Sequence, residues 1–186
     1  VSEWLPKTIY PYIYGLRDDK SYPASGDNFV TLSTGTLVGS VALWAAAHAH
    51  DGNAWNFYQE QVRGQRQPPN RYPYILEHLL WPVNTAALHA PAELDLSRHF
   101  RRSGQVLMRD RWTHADATLL EFKSTSFISD NHHHLDQNSI SLNYKGPLLV
   151  DSGRYDAYAS PHWANYYTRS IAHNTVIAFD GNERFQ

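Results

Sequence analysis

The chain changes texture between about residues 91 and 98, and this break constrains its fold more than any other feature. Before it the pattern is helical. Residues 36–50 are apolar nearly all round, as expected of a helix buried on several sides. Gly26 and Asp27 supply a turn and an N-cap before Phe29, and Asp51-Gly52-Asn53 closes the long helix. Trp55, Tyr58, Gln59 and Val62 suggest a second, amphipathic helix; residues 64–70 read as a linker, and residues 73–81 as a short third helix halted at Pro82. Residues 91–96 form a crossover. After it come short β-rich runs at residues 99–101, 105–112, 117–123, 139–144, 147–151 and 174–179, punctuated by Gly, Asp or Asn. Short connections imply antiparallel pairing, most simply a sandwich. Six strands are few for a closed sandwich and an uncovered edge is a liability, so the expectation is a chain truncated at both ends.

Composition narrows the function classes. A length of 186 residues allows one large domain or two small ones. The formal net charge is only −2, with no basic stripe of the kind nucleic-acid binders carry. The best apolar run, residues 37–49, is too short to span a membrane and contains Trp44 and His48. It reads as a buried helix. The absence of cysteine excludes disulfides and thiolate-ligated zinc.

The densest chemistry lies in Asn131-His132-His133-His134-Leu135-Asp136, which leads into an alternating run at residues 138–144. In a strand, residues two apart share a face. On that reading His132, His134 and Asp136 point one way, and His133 and Leu135 the other. Such a face suits a metal ligand beside a catalytic base, and Asp151 and His173 add a second carboxylate and another imidazole further on. His48, His50, His78, His89, His99 and His114 have no partner at ligand spacing and read as ordinary.

A second cluster occupies residues 154–169, where Pro161 interrupts any regular strand. Aromatic faces can stack on sugar rings and arginine can grip a carboxylate or sulfate through two hydrogen bonds. Tyr155, Tyr158, Tyr166 and Arg169 are the candidate substrate contacts, with Trp163 and Tyr167 beside them. The alternative is aromatic packing over the end of the sandwich.

Five motifs in order carry a family resemblance: Ser25-Gly26-Asp27, residues 104–109 (Gly-Gln-Val-Leu-Met-Arg), residues 132–136, residues 149–153 (Leu-Val-Asp-Ser-Gly) and residues 172–176 (Ala-His-Asn-Thr-Val). Together they resemble the heparinase II/III-like polysaccharide lyases from about Ser25 to the end. The resemblance implies an α+β architecture: the end of an incomplete α/α toroid over residues 1–90, then the first part of an antiparallel β-sandwich over residues 91–186. It also implies β-elimination on a uronic-acid polysaccharide. His132 inherits the catalytic histidine, while His134, Asp151 and His173 inherit a mainly structural zinc site. A catalytic tyrosine is implied in toroid helices earlier than any residue that aligns. An acidic polysaccharide or oligosaccharide is the implied partner, a homodimer is admitted, and the implied setting is periplasmic or secreted in a bacterium. Two other classes remain open on the residues: a metal-dependent β-barrel enzyme of cupin type, and a non-catalytic glycan-binding module. Against the cupin, the acidic residue follows His134 after one position rather than several.

Overall fold

In a computed structural model, residues 4–23, 26–27, 36–62, 79–126 and 132–176 are described. A 3-10 turn at Leu5–Ile9 runs into helix α1, Tyr10–Gly15. Pro11 sits in its first turn, where a missing N–H costs nothing and a fixed φ favours the helix. Sequence reasoning gave this stretch no element. Helix α2, Thr36–Ala49, matches the expected buried helix almost end to end. His50 then takes φ +54°, and Asp51 caps helix α3, Gly52–Phe57, by accepting from the Ala54 amide at 3.0 Å. Asp51 therefore starts a helix as well as ending one. Its other oxygen accepts from the Tyr10 hydroxyl at 2.9 Å, tying α3 to α1. A π-helical turn, Tyr58–Val62, extends α3. Most of the expected third helix lies outside the described residues; residues 79–80 are helical.

The apolar faces of these helices close on one core containing Ile9, Ile13, Leu16, Leu43, Phe57 and Tyr58. Each side chain of this size stabilises the fold by about 1.5–3 kcal/mol when fully buried. Trp112 and Leu94, from the second half, pack against the same core.

Five strands follow: β1 (Ser97–Phe100), β2 (Gln105–Arg109), β3 (Leu119–Lys123), β4 (Ser139–Asn143) and β5 (Pro147–Leu149). They pair in sequence order, each antiparallel to the last. The helices-then-antiparallel-sheet architecture expected from the sequence is what the chain adopts. Among the described residues the sheet is an open meander rather than a closed barrel. The expected strand at residues 174–179 is irregular as far as Val176 and lies outside the described residues beyond it.

The register inverts the usual polarity of a sheet. Leu107 pairs with Glu121, and Glu121 with Ser141; Arg109 pairs with Leu119, and Leu119 with Asn143. This face is buried toward the helices, yet it carries Arg109, Glu121 and Asn143. The opposite face presents Met108, Leu120, Phe122, Ile140 and Leu142, with Met108 and Ile140 exposed. A cavity of about 300 Å³ opens on the helix-facing side, lined by Arg17, Glu121, Lys123, Asp136, Asn143 and Asp151 among others.

Candidate active site

The histidine motif is not a strand. Residues 132–138 form turns and bends before β4, with His132 at φ +69° and Asn138 at φ +60°. Left-handed backbone at non-glycine residues is uncommon, and it breaks the two-residue alternation on which a shared strand face depends. The face expected for His132, His134 and Asp136 therefore does not exist as such. Asp136 turns away to the cavity, where Lys123 donates to it at 2.5 Å, both groups being largely buried. His132 and His134 meet for a different reason, which lies in the helical half.

That reason is Asp27. Its side chain is 1% exposed and sits between both rings: Oδ2 is 2.9 Å from His132 Nδ1, and Oδ1 is 2.9 Å from His134 Nε2. Trp163 Nε1 donates to the same Oδ1 at 2.7 Å. Gly26 makes the approach possible. With φ +77° and the carbonyl of His132 only 2.5 Å from where a Cβ would stand, no side chain fits there. Burial alone would raise the Asp27 carboxyl pKa, but the hydrogen bonds from His134, Trp163 and His132 outweigh it and hold the group below its ordinary value. His134 is shifted down mainly by burial; its bond to Asp27 opposes that shift, and neighbouring His173 adds to it.

His134 is 1% exposed and packs edge-on against Tyr167, whose hydroxyl reaches the Gly26 carbonyl at 3.5 Å. His173 is its other neighbour, with ring centroids 5.2 Å apart. His173 Nδ1 lies 2.9 Å from Asp151 Oδ2, yet both its ring nitrogens lack a hydrogen-bond partner. The distance is within ion-pair reach, but the direction does not make a hydrogen bond. His134 Nδ1 is likewise buried without a partner. Imidazole nitrogens without hydrogen-bond partners, next to a carboxylate, are the donor types zinc takes. Among the described residues no three such side chains already stand at the spacing of a formed metal cluster. The chemistry of the set fits zinc, with His134, Asp151 and His173 as the residues that would hold it. His132, 62% exposed at its side chain, stands outside that set.

The aromatic segment is helical rather than extended. Trp163–Tyr167 is a π-helical turn and Ser170–Ala172 a 3-10 turn, with Pro161 at the start, where proline is tolerated. Tyr158 is exposed and leans on Trp163, with ring centroids 4.9 Å apart. Tyr166 shares a 2.6 Å hydrogen bond with Ser152, and Tyr155 packs against Tyr167. Arg169 uses Nε to donate to the Ala164 carbonyl at 2.9 Å, which braces the turn. The segment thus borders the histidines through Trp163 and Tyr167, which the sequence places in the aromatic cluster but not among the candidate substrate contacts.

Comparison with known proteins bears on the family and the fold. The family model described as heparinase II/III-like, C-terminal, matches residues 93–185, half of the chain. The chain belongs to the heparinase II/III-like family. Its fold is similar to that of a heparinase III, the BT4657 gene product with methylated lysines: TM-score 0.55, 18% identity, covering 91% of this chain and 22% of that one. The heparan sulfate lyase HepC from Pedobacter heparinus is similar at TM-score 0.54 and 15% identity, covering 86% and 21%. The chain therefore spans about a fifth of the length of these neighbours. No curated protein matches it.

Proposed function

We propose that this chain is part of a polysaccharide lyase that cleaves a uronic-acid polymer by β-elimination, with His132 as base. The observation that supports the reading is the meeting of His132 and His134 at Asp27, with His173 beside His134 and Asp151 beside His173, all but Asp27 inside the family-matched segment. In the elimination a base removes the C5 proton beside the uronate carboxylate, the C4–O4 bond breaks, a C4–C5 double bond forms, and an acid protonates the departing O4. The exposed imidazole of His132 is suited to the first task, since histidine is a common general base. Donors or positive charge must also steady the carboxylate as it becomes enolate-like.

Tyr155, Tyr158, Tyr166 and Arg169 form the proposed glycan-facing wall, with Tyr158 best placed by its exposure. Zinc, when bound, would cross-link the His134, Asp151 and His173 segments in a mainly structural role. Residues 1–90 would then be the end of the helical domain and residues 91–186 the start of the sheet domain. Among the described residues no helix is long and apolar enough to cross a membrane. A periplasmic or secreted setting goes with a polymeric substrate, and a homodimer is part of the same proposal.

The deciding assay incubates the protein, in a form long enough to span its structural neighbours, with heparan sulfate and other uronate polymers. Appearance of unsaturated uronate absorbance supports the lyase. Binding without product would favour a glycan-binding module instead. The open meander, which closes no barrel among the described residues, removes support from the cupin alternative.

A further inference from the structure

We propose that Asp27 is a positioning residue that sets the tautomers of both motif histidines, and sets them oppositely. The inference deepens the reading of His132 as base and His134 as ligand, and rests on it. An ionised carboxylate only accepts hydrogen bonds, so each ring nitrogen facing it must carry a proton. A neutral imidazole carries one N–H, and its lone pair then lies on the other nitrogen. Asp27 faces Nδ1 of His132 but Nε2 of His134. His132 is therefore the Nδ1–H tautomer with its basic electron pair on Nε2. His134 is the Nε2–H tautomer with its pair on Nδ1, the buried nitrogen that has no hydrogen-bond partner.

One carboxylate thus produces two different outputs from two rings of one motif. The exposed ring carries its electron pair on the nitrogen that does not face Asp27. The buried ring, which neighbours His173, keeps its electron pair on a nitrogen with no hydrogen-bond partner. Carboxylates commonly orient metal-binding histidines through the ring N–H opposite the metal. Here the same group also orients a ring outside the metal set. Trp163 makes the arrangement directional: its indole N–H occupies Oδ1 together with His134, while Oδ2 serves His132.

That asymmetry makes the isosteric variant Asp27→Asn informative. The amide oxygen should keep the Oδ1 position, because Trp163 can only donate. The amide nitrogen should then take the Oδ2 position and present an N–H to His132. To accept it, His132 must move its electron pair to Nδ1 and its proton to Nε2, while His134 stays as it was. The basic nitrogen would then face away from the substrate. Turnover should fall by roughly 10²–10⁴-fold, the contribution expected of a positioned general base. KM and zinc content should change little.

The test is long-range nitrogen–proton correlation NMR of the imidazoles in the full chain, without substrate, before and after zinc is added. Native protein should show His132 as Nδ1–H and His134 as Nε2–H, with zinc perturbing Nδ1 of His134. In Asp27→Asn, His132 alone should change tautomer. His132 as Nε2–H or His134 as Nδ1–H in the native protein overturns the proposal, even if the variant fails to fold. So does an Asp27→Asn protein whose His132 keeps its native tautomer, or whose turnover is undiminished. The expected tautomers in a protein that yields no unsaturated product would sustain the Asp27 assignment and reject the lyase reading alone.

Discussion

Arg109 on β2 donates to the carbonyl of Leu16, the residue that caps α1, at 2.9 Å. A second nitrogen of the same guanidinium reaches the Ile13 carbonyl at 3.4 Å. The group also lies over the Trp112 ring, 4.9 Å from its centroid. Burial lowers its pKa to about 10, which leaves it charged at neutral pH. One buried cation therefore fastens the sheet to the end of a helix.

Replacing Arg109 by Leu should remove this fastening and leave two buried carbonyls without their donor. Hydrogen bonds to charged groups are worth about 1.5–3 kcal/mol each and the 3.4 Å bond is a weak one, so a loss of about 2–4 kcal/mol is expected. Arg109→Lys should cost less but not recover fully, since an ammonium lacks the planar fork. Denaturant midpoints at constant slope measure both. A midpoint for Arg109→Leu equal to the native one would reject the role.

His114 accompanies this arginine, its Nδ1 standing 3.2 Å from the guanidinium. Burial first, then the charges of Arg109 and Lys20, lower its pKa from 6.5 to about 4, although the Leu16 carbonyl pulls the other way. A depressed histidine binds fewer protons folded than unfolded between those two values. Its contribution is therefore complete above pH 6.5 and is lost as pH falls toward about 4. His114→Gln should flatten that stretch of the stability–pH curve. Parallel curves for the two proteins would show that another group sets the slope.

Gly26→Ala should disturb the site from the helical side. The added methyl would meet the His132 carbonyl at 2.5 Å, in a backbone region that L side chains rarely adopt. Strain of this kind costs about 1–3 kcal/mol. Thermal unfolding should report that loss. An unchanged melting temperature would mean that the loop and residue 26 do not pack as described.

Some of this was legible in the sequence and some could not have been. The buried helix Thr36–Ala49 and strand β3, Leu119–Lys123, announce themselves by local pattern, because burial on a helix or strand repeats at a fixed period. The His132–Asp136 loop resists that reading, since positive φ at His132 and Asn138 leaves no periodic trace. Helix α1 was hidden by Pro6 and Pro11, which suggest turns until their place in the first turns is known. Asp27 was legible only as an N-cap or part of a family motif. Its partners lie 105, 107 and 136 residues away, beyond the reach of any local pattern.

The proposed zinc ligands can be separated from the proposed base by substitution. His134→Ala and Asp151→Ala should lose bound zinc together with stability, because a metal held only by the folded chain adds to folding free energy. His132→Ala should retain zinc and melting temperature while turnover falls by roughly 10²–10⁴-fold. Elemental analysis, melting curves and product absorbance read the three quantities. Equal zinc loss in His132→Ala and His134→Ala would collapse the division between them.

The reach of Asp27 across the chain also bears on how this family can be recombined. The family model begins at residue 93, so a gene cut there would export the histidines and strand their carboxylate on the other fragment. Chimeras joining one relative's helices to another's sheet would be viable only where the borrowed helical half brings an acceptor to the same two nitrogens. In this chain the seam between the halves, rather than either half, holds the two histidines in place.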